Sequence, residues 1–102
     1  MSIKKQYLKS KPVCKVTFTL GKHMTGSAGR VYLVGEFNDW DTQANPMKPL
    51  KDGVFNLTVN LEKGHEYQFR YLLDGQTWEN DDGADKYVRT PFGDSDNSVV
   101  IV

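Results

Sequence analysis

The chain has 102 residues, with 13 Lys plus Arg, 13 Asp plus Glu and a net charge of zero. This length favours one domain with its own hydrophobic core, and a neutral chain has no overall field to attract nucleic acid or an anionic membrane. A single cysteine, Cys14, excludes an intramolecular disulfide. No apolar run approaches the roughly 20 residues that cross a bilayer, and the first residues lack an apolar signal segment. We therefore expect a soluble, cytoplasmic protein without nucleic-acid or membrane partners.

The chain begins with a lysine-rich segment, residues 1–12, which ends at Pro12. We expect these residues to form a solvated N-terminal arm or a short edge segment, followed by the main domain over residues 13–102. Docking of this arm on a partner protein is the alternative that the sequence leaves open.

Short strands separated by turns are predicted along the rest of the chain. Apolar and polar residues alternate in residues 13–20, 55–61 and 67–73, which is the period of a half-buried strand. Shorter strands are predicted at 31–34, 87–88 and 98–102, and no segment has the apolar spacing of an amphipathic helix. Six or seven such strands indicate an all-β fold, an antiparallel β-sandwich. The side chains expected in its core are Val16, Phe18, Leu20, Phe55, Leu57, Val59, Tyr67, Phe69 and Tyr71.

Catalytic and metal chemistry find little support in the sequence. His23 and His65 lie in separate glycine-flanked stretches, and no segment resembles the turn that presents a nucleophile. Cys14 lies on the apolar face of a predicted strand, where we expect a small buried side chain. The acids Glu79, Asp81, Asp82, Asp85, Asp94 and Asp96 are expected to be solvated loop residues, with glycoside hydrolysis or calcium binding as alternatives. We expect no catalytic residue, no metal and no cofactor.

Two tryptophans carry the main functional signal. Trp40 and Trp78 each follow an apolar strand and a polar turn. An indole exposed to water loses free energy, so this placement favours a surface that stacks on a ligand with flat apolar faces and many hydroxyl groups, such as a sugar. Nucleobases also stack on aromatic side chains, but the acidic residues of these loops would repel phosphates. Packing of Trp40 over the sandwich is the structural alternative.

Several motifs, in a fixed order, resemble the family 48 carbohydrate-binding modules of glycogen branching enzymes, isoamylases and the beta subunit of AMP-activated protein kinase. They are VYLVGEFNDW at 31–40, MKPL at 47–50, GVF at 53–55, YQFRYLLDG at 67–75 and NSVV at 97–100. The resemblance covers residues 13–102. It implies an immunoglobulin-like early-set β-sandwich of about seven strands.

The same resemblance implies a set of carbohydrate-binding residues. Trp40 and Trp78 take the places of the two tryptophan platforms, and Arg70 takes the place of a basic residue. Phe92 takes the place of an apolar residue and Asn97 that of an asparagine. Ser95 is the residue nearest to the position of the family's threonine. Pairing of Arg70 with Asp74, Glu79 or another loop acid is the alternative for that side chain.

The function implied by the resemblance is non-catalytic binding of an α-1,4-linked glucan such as glycogen, starch or a maltooligosaccharide. The enzymes that carry such modules place catalysis on a barrel of about 250 residues, so we do not expect this chain to be an enzyme. The alternative is a protein-interaction domain that docks on a glycogen-metabolising enzyme and binds no sugar itself. The oligomeric state stays open.

Overall fold

The computed structural model describes residues 3–90 and 95–102, and these residues are almost entirely β. A one-turn helix, α1, spans Lys22–Thr25, and 3-10 turns span Glu36–Asn38 and Lys51–Gly53. None of the helices in the described part of the chain has the length and hydropathy of a membrane span. The strands of the described part are β1 Ile3–Tyr7, β2 Val13–Leu20, β3 Val31–Gly35, β4 Lys48–Pro49, β5 Phe55–Glu62, β6 Glu66–Leu73, β7 Thr77–Glu79, β8 Lys86–Arg89 and β9 Asp96–Ile101.

The strands form two antiparallel sheets that pack as a sandwich, which confirms the predicted fold class. The first sheet has the order β1-β2-β5-β4 and the second the order β3-β6-β9-β8, with β7 paired to β6. The strand number in the described residues is nine rather than about seven. The additional strands include β4 and β7, whose two and three residues are too short to produce a detectable alternation.

The alternating residues of β2 and β6 form the centre of the core, as predicted. Phe18, Phe69 and Tyr71 are completely buried, and the rings of Phe18 and Phe69 meet edge to face with centroids 5.0 Å apart. Cys14 is buried beside them. Leu57, Val59 and Tyr67 are only partly buried, although they pack against the same cluster.

The lysine-rich segment contains the edge strand of the first sheet. β1 pairs with β2 from Ile3 opposite Phe18 to Tyr7 opposite Cys14. The Lys5 ammonium also lies 2.7 Å from Oδ2 of Asp85, just before β8 of the other sheet. Burial raises the pKa of Asp85, but the hydrogen bonds from Lys5 and from the Ile101 backbone outweigh burial and leave that pKa below its usual value. β1 is therefore connected to both sheets.

Asp81 contradicts the expectation that all the acids of its segment are solvated. Its side chain is 1% exposed, and its Oδ2 accepts a hydrogen bond from the hydroxyl of Tyr71. The backbone N–H of Asp81 donates to Oγ of Ser98 at 2.9 Å. Burial, together with the nearby Asp81 carboxylate, raises the pKa of Tyr71 well above its usual value. Residues 79–85 are mostly polar, so the sequence gives no sign that Asp81 is buried. Only the tertiary fold brings Tyr71 to this position.

Candidate functional site

The outer face of the second sheet carries the predicted site residues. Along β6, Phe69 and Tyr71 point into the core, so Gln68, Arg70 and Leu72 point outward. Trp78 of β7 lies opposite Leu72 and therefore shares this outward face. The sheet alternation that could be read from the sequence thus decides which side chains reach the surface.

A concavity of about 460 Å³ lies on this face. Its described lining residues are Glu36, Trp40, Gln68, Arg70, Trp78, Thr90, Ser95 and Asn97. Four of the predicted residues (Trp40, Arg70, Trp78 and Asn97) line it together, although they come from widely separated parts of the chain. Phe92, the fifth, lies outside the described residues.

Gly35 and Asn38 shape the turn that presents Trp40. A Cβ at Gly35 would lie 2.6 Å from the carbonyl oxygen of Gln68, so only glycine allows β3 to approach β6 this closely. Asn38 Oδ1 accepts from the Gly35 N–H at 3.1 Å, and its Nδ2 donates to the Leu33 carbonyl at 3.0 Å and to Asn45 Oδ1 at 2.7 Å. One amide side chain therefore ties the turn to the strand before it and to the loop after it.

Trp40 itself has an unusual backbone conformation. Its φ is 58° and that of Asp39 is 55°, both in the left-handed region that residues with a Cβ seldom occupy. The Trp40 N–H donates to the Gly35 carbonyl at 2.9 Å, which stabilises this conformation. The indole is 38% exposed. Such strain persists where surrounding contacts determine it, and it is typical of functional positions.

Trp78 is presented by a tight turn between β6 and β7. Asp74 and Gly75 both have positive φ, 52° and 69°, and the Gln76 N–H donates to the Leu73 carbonyl at 3.0 Å. The turn is anchored by Oδ1 of Asp74, which accepts the N–H groups of Gly29 and Arg30 at 2.9 and 3.0 Å. This support leaves the indole 43% exposed beside the concavity.

A polar chain crosses the concavity from β9 to the Trp40 turn. Arg70 Nε donates to Asn97 Oδ1 at 2.6 Å, and Asn97 Nδ2 donates to Gln68 Oε1 at 2.9 Å. The backbone N–H of Gln68 donates to Glu36 Oε1 at 2.6 Å. Within the described residues, the Arg70 guanidinium therefore contacts Asn97, and neither Asp74 nor Glu79 pairs with it.

Sequence reasoning did not identify Gln68, Glu36 and Thr90 as lining residues. The outward position of Gln68 could have been inferred from the sequence, because Gln68 stands two positions before Arg70 on an alternating strand and must share its face. The position of Glu36 could not have been inferred in this way, since it depends on the turn after Gly35. Only the fold brings its carboxylate to Gln68.

The concavity offers flat apolar faces and hydrogen-bonding groups, and its described lining contains a single carboxylate, Glu36. Hydrolysis of a glycosidic bond generally needs a pair of carboxyl groups, so the described lining does not favour that chemistry. Among the residues that the structure describes, no cluster of three or more His, Cys, Asp or Glu side chains could hold a metal ion. The arrangement is suited to stacking and to hydrogen bonding with a neutral polar ligand.

Comparison with known proteins gives a family match over most of the chain. Residues 18–101 match a family described as the glycogen recognition site of AMP-activated protein kinase. A 1,4-alpha-glucan branching enzyme of Thiobacillus denitrificans is 40% identical over 65 residues, which are 62% of this chain and 8% of that enzyme. A branching enzyme of Photobacterium profundum is 43% identical over 44 residues, 42% of this chain and 6% of the enzyme. The chain thus spans less than a tenth of the length of these relatives.

A solved structure shares the fold at low sequence identity. The enterobactin esterase of Shigella flexneri superposes with a TM-score of 0.77 and 12% identity, over 99% of this chain and 33% of the esterase. At this identity the likeness concerns the fold alone.

Proposed function

The chain belongs to the family of the glycogen recognition site of AMP-activated protein kinase, and we propose that it binds an α-1,4-linked glucan in the concavity beside Trp40 and Trp78. One observation carries this proposal: two indoles from separate turns line the same concavity as Arg70 and Asn97. The glucan would be glycogen, starch or a maltooligosaccharide. The relatives support this ligand class, because they are 1,4-alpha-glucan branching enzymes.

The two indoles would supply most of the binding free energy. The C–H face of a glucose ring is apolar, and stacking it on an indole removes roughly 100 Å² from water, which is worth about 2 kcal/mol per tryptophan. Loss of translational, rotational and ligand freedom offsets much of this gain. We therefore expect a dissociation constant on the order of micromolar to millimolar.

The polar chain in the same concavity would orient the sugar. Arg70 Nε already donates to Asn97, which leaves the Nη atoms of the guanidinium as donors toward ring hydroxyl groups. Gln68 accepts from Asn97 through Oε1, so its Nε2 can donate. Because Arg70, Asn97 and Gln68 are connected, each holds the next in place before the ligand arrives, and less side-chain entropy is lost on binding.

We propose that this role is recognition and not catalysis. The matched family is described as a recognition site, and the chain matches only 8% and 6% of the length of the two branching enzymes. Docking on a glycogen-metabolising enzyme is the second candidate. The edge strand β1 favours it, because Tyr7 is 53% exposed there. Co-sedimentation of such an enzyme with the chain, lost on Tyr7→Ala, would support docking.

The test is isothermal titration calorimetry with maltoheptaose on the wild type and on Trp40→Ala and Trp78→Ala. We expect saturable binding by the wild type and a loss of about tenfold or more in each variant. Tyr7→Ala is the matched control, since it removes an exposed aromatic ring from the other sheet. Far-UV circular dichroism and thermal unfolding would establish that every variant is folded.

Absence of binding by the folded wild type up to millimolar maltoheptaose would overturn the proposal. Equal affinity of the wild type, Trp40→Ala and Trp78→Ala would also overturn it, because the sugar would then bind elsewhere.

A further inference from the structure

Trp78 borders a second concavity on the same face of the sheet. This second concavity measures about 570 Å³, against about 460 Å³ for the first, and both are within the usual range for ligand sites. Its lining includes Tyr32, Thr42, Gln43, Leu72, Asp74 and Trp78. Trp78 lines both concavities, so the indole lies where they adjoin.

The two concavities follow each other along β6. Gln68 and Arg70 line the first, whereas Leu72 and then Asp74 line the second. Outward residues on a strand are spaced by roughly 6.6 Å, so the span from Gln68 to Leu72 is about 13 Å, and Asp74 lies in the turn just beyond β6. An extended ligand that follows the strand would therefore pass from one concavity into the other.

The loop between β3 and β4 also joins the two concavities. Trp40 at its start lines the first, and Thr42 and Gln43, a few residues later, line the second. Gln43 is fixed locally, because its N–H donates to Asp41 Oδ1 at 2.8 Å. A ligand bound in both concavities would contact this loop along its length.

The second concavity has the same kind of chemistry as the first. Tyr32, Leu72 and Trp78 lie side by side across β3, β6 and β7, and form an apolar row on the outward face. Thr42, Gln43 and Asp74 surround that row with hydroxyl, amide and carboxylate groups. Aromatic surface beside hydrogen-bond donors and acceptors is suited to further sugar units.

We propose that a longer α-glucan continues past Trp78 into this second concavity, so that affinity depends on chain length. The inference rests on the proposed function of the first concavity and extends it. Short maltooligosaccharides fill the first concavity alone, and longer chains gain contacts with Tyr32 and Gln43.

The experiment is a calorimetric titration of the wild type, Tyr32→Ala and Gln43→Ala with maltooligosaccharides from maltotriose to maltodecaose. We expect wild-type affinity to rise about tenfold or more across the series. Both variants should keep the wild-type affinity for maltotriose and lose most of the gain for maltodecaose. Gln6→Ala, an exposed glutamine on the first sheet, is the matched control for Gln43→Ala.

A second readout does not depend on substitution of the half-buried Tyr32. Amide chemical shifts in ¹⁵N-labelled protein should move near Arg70 and Asn97 with maltotriose. With maltodecaose they should also move at Gly29, Gln43 and Gly75, which lie at the second concavity.

The outcomes separate the extension from the proposed function. If maltotriose and maltodecaose bind with equal affinity and perturb only the first concavity, the extension is wrong and the proposed function stands. A stoichiometry of two for maltoheptaose would indicate separate sites and would also overturn the extension. If no sugar of any length binds, the proposed function itself fails.

Discussion

Asn38 is the residue that holds the Trp40 turn in place. Its amide makes three hydrogen bonds, to Gly35, Leu33 and Asn45, and the turn beside it has positive φ at Asp39 and Trp40. These contacts offset a conformation that costs roughly 1–3 kcal/mol for a residue with a Cβ. A single polar side chain therefore determines where the first indole lies.

We predict that Asn38→Ala lowers the free energy of unfolding by about 2 kcal/mol, since the Gly35 N–H, the Leu33 carbonyl and the Asn45 side chain lose their partner. The affinity for maltoheptaose should fall as well, because Trp40 no longer has one fixed position. Urea unfolding and calorimetry measure the two effects, with Asn60→Ala on the first sheet as control. Unchanged stability and affinity would show that the turn does not depend on this side chain.

Tyr71 is the residue whose ionisation links stability to pH. Burial, followed by the Asp81 carboxylate, raises its pKa well above 10.0, and burial with the Glu62 charge also raises the pKa of Tyr67. The unfolded chain releases these protons near pH 10 while the folded chain retains them. Stability is therefore unaffected by these groups below pH 10 and falls as the pH rises above it.

We predict that Tyr71→Phe destabilises the fold by about 1.5–3 kcal/mol at pH 7, because it removes a hydrogen bond to the buried Asp81 carboxylate. The decline in stability above pH 10 should also become shallower in this variant. Chemical denaturation at several pH values measures both effects, and Tyr7→Phe at an exposed position is the control. An equal decline in the variant and the wild type would contradict the role assigned to Tyr71.

At the scale of elements, the junction between β3 and β6 depends on close backbone approach. A Cβ at Gly35 would lie 2.6 Å from the Gln68 carbonyl oxygen and 2.7 Å from Phe69 Cβ. The φ of Gly35 is −172°, an extended value that any residue adopts. The requirement for glycine is therefore one of space between two strands and not of backbone conformation.

We predict that Gly35→Ala lowers the free energy of unfolding by about 1–3 kcal/mol, because the added methyl forces β3 away from β6. The change would also shift the Glu36–Asn38 turn, so the affinity for maltoheptaose should decrease. Gly29→Ala is the matched control, since its Cβ would have only Asp74 Oδ1 nearby, at 3.8 Å. Urea unfolding that gives equal stability for the two variants would contradict the argument.

At the scale of the whole molecule, the neutral net charge sets the expected response to salt. The chain has 13 basic and 13 acidic residues, and the proposed ligand is uncharged. We predict that the affinity for maltoheptaose changes by less than about twofold between about 50 mM and about 500 mM NaCl. Calorimetry at both concentrations tests this, and a steep loss with salt would indicate an anionic ligand instead.

Much of the architecture could be predicted because its signals are local. The period-2 alternation of β2, β5 and β6 predicted both the strands and the side chains that face the core. The family resemblance is confirmed by the match over residues 18–101. Strands such as β4 and β7 could not be predicted, since they exist only where a longer neighbour supplies the pairing.

The sequence by itself determined the fold class, the family and the outward placement of Arg70, because alternation and ordered motifs are properties of the chain alone. Only the tertiary structure decided that Trp40, Trp78 and Asn97 meet at one concavity, that Arg70 donates to Asn97, and that Asp81 is buried. These facts depend on strand order and register. Pairing between distant segments sets both, and no local pattern encodes the distance between residues that the fold brings together.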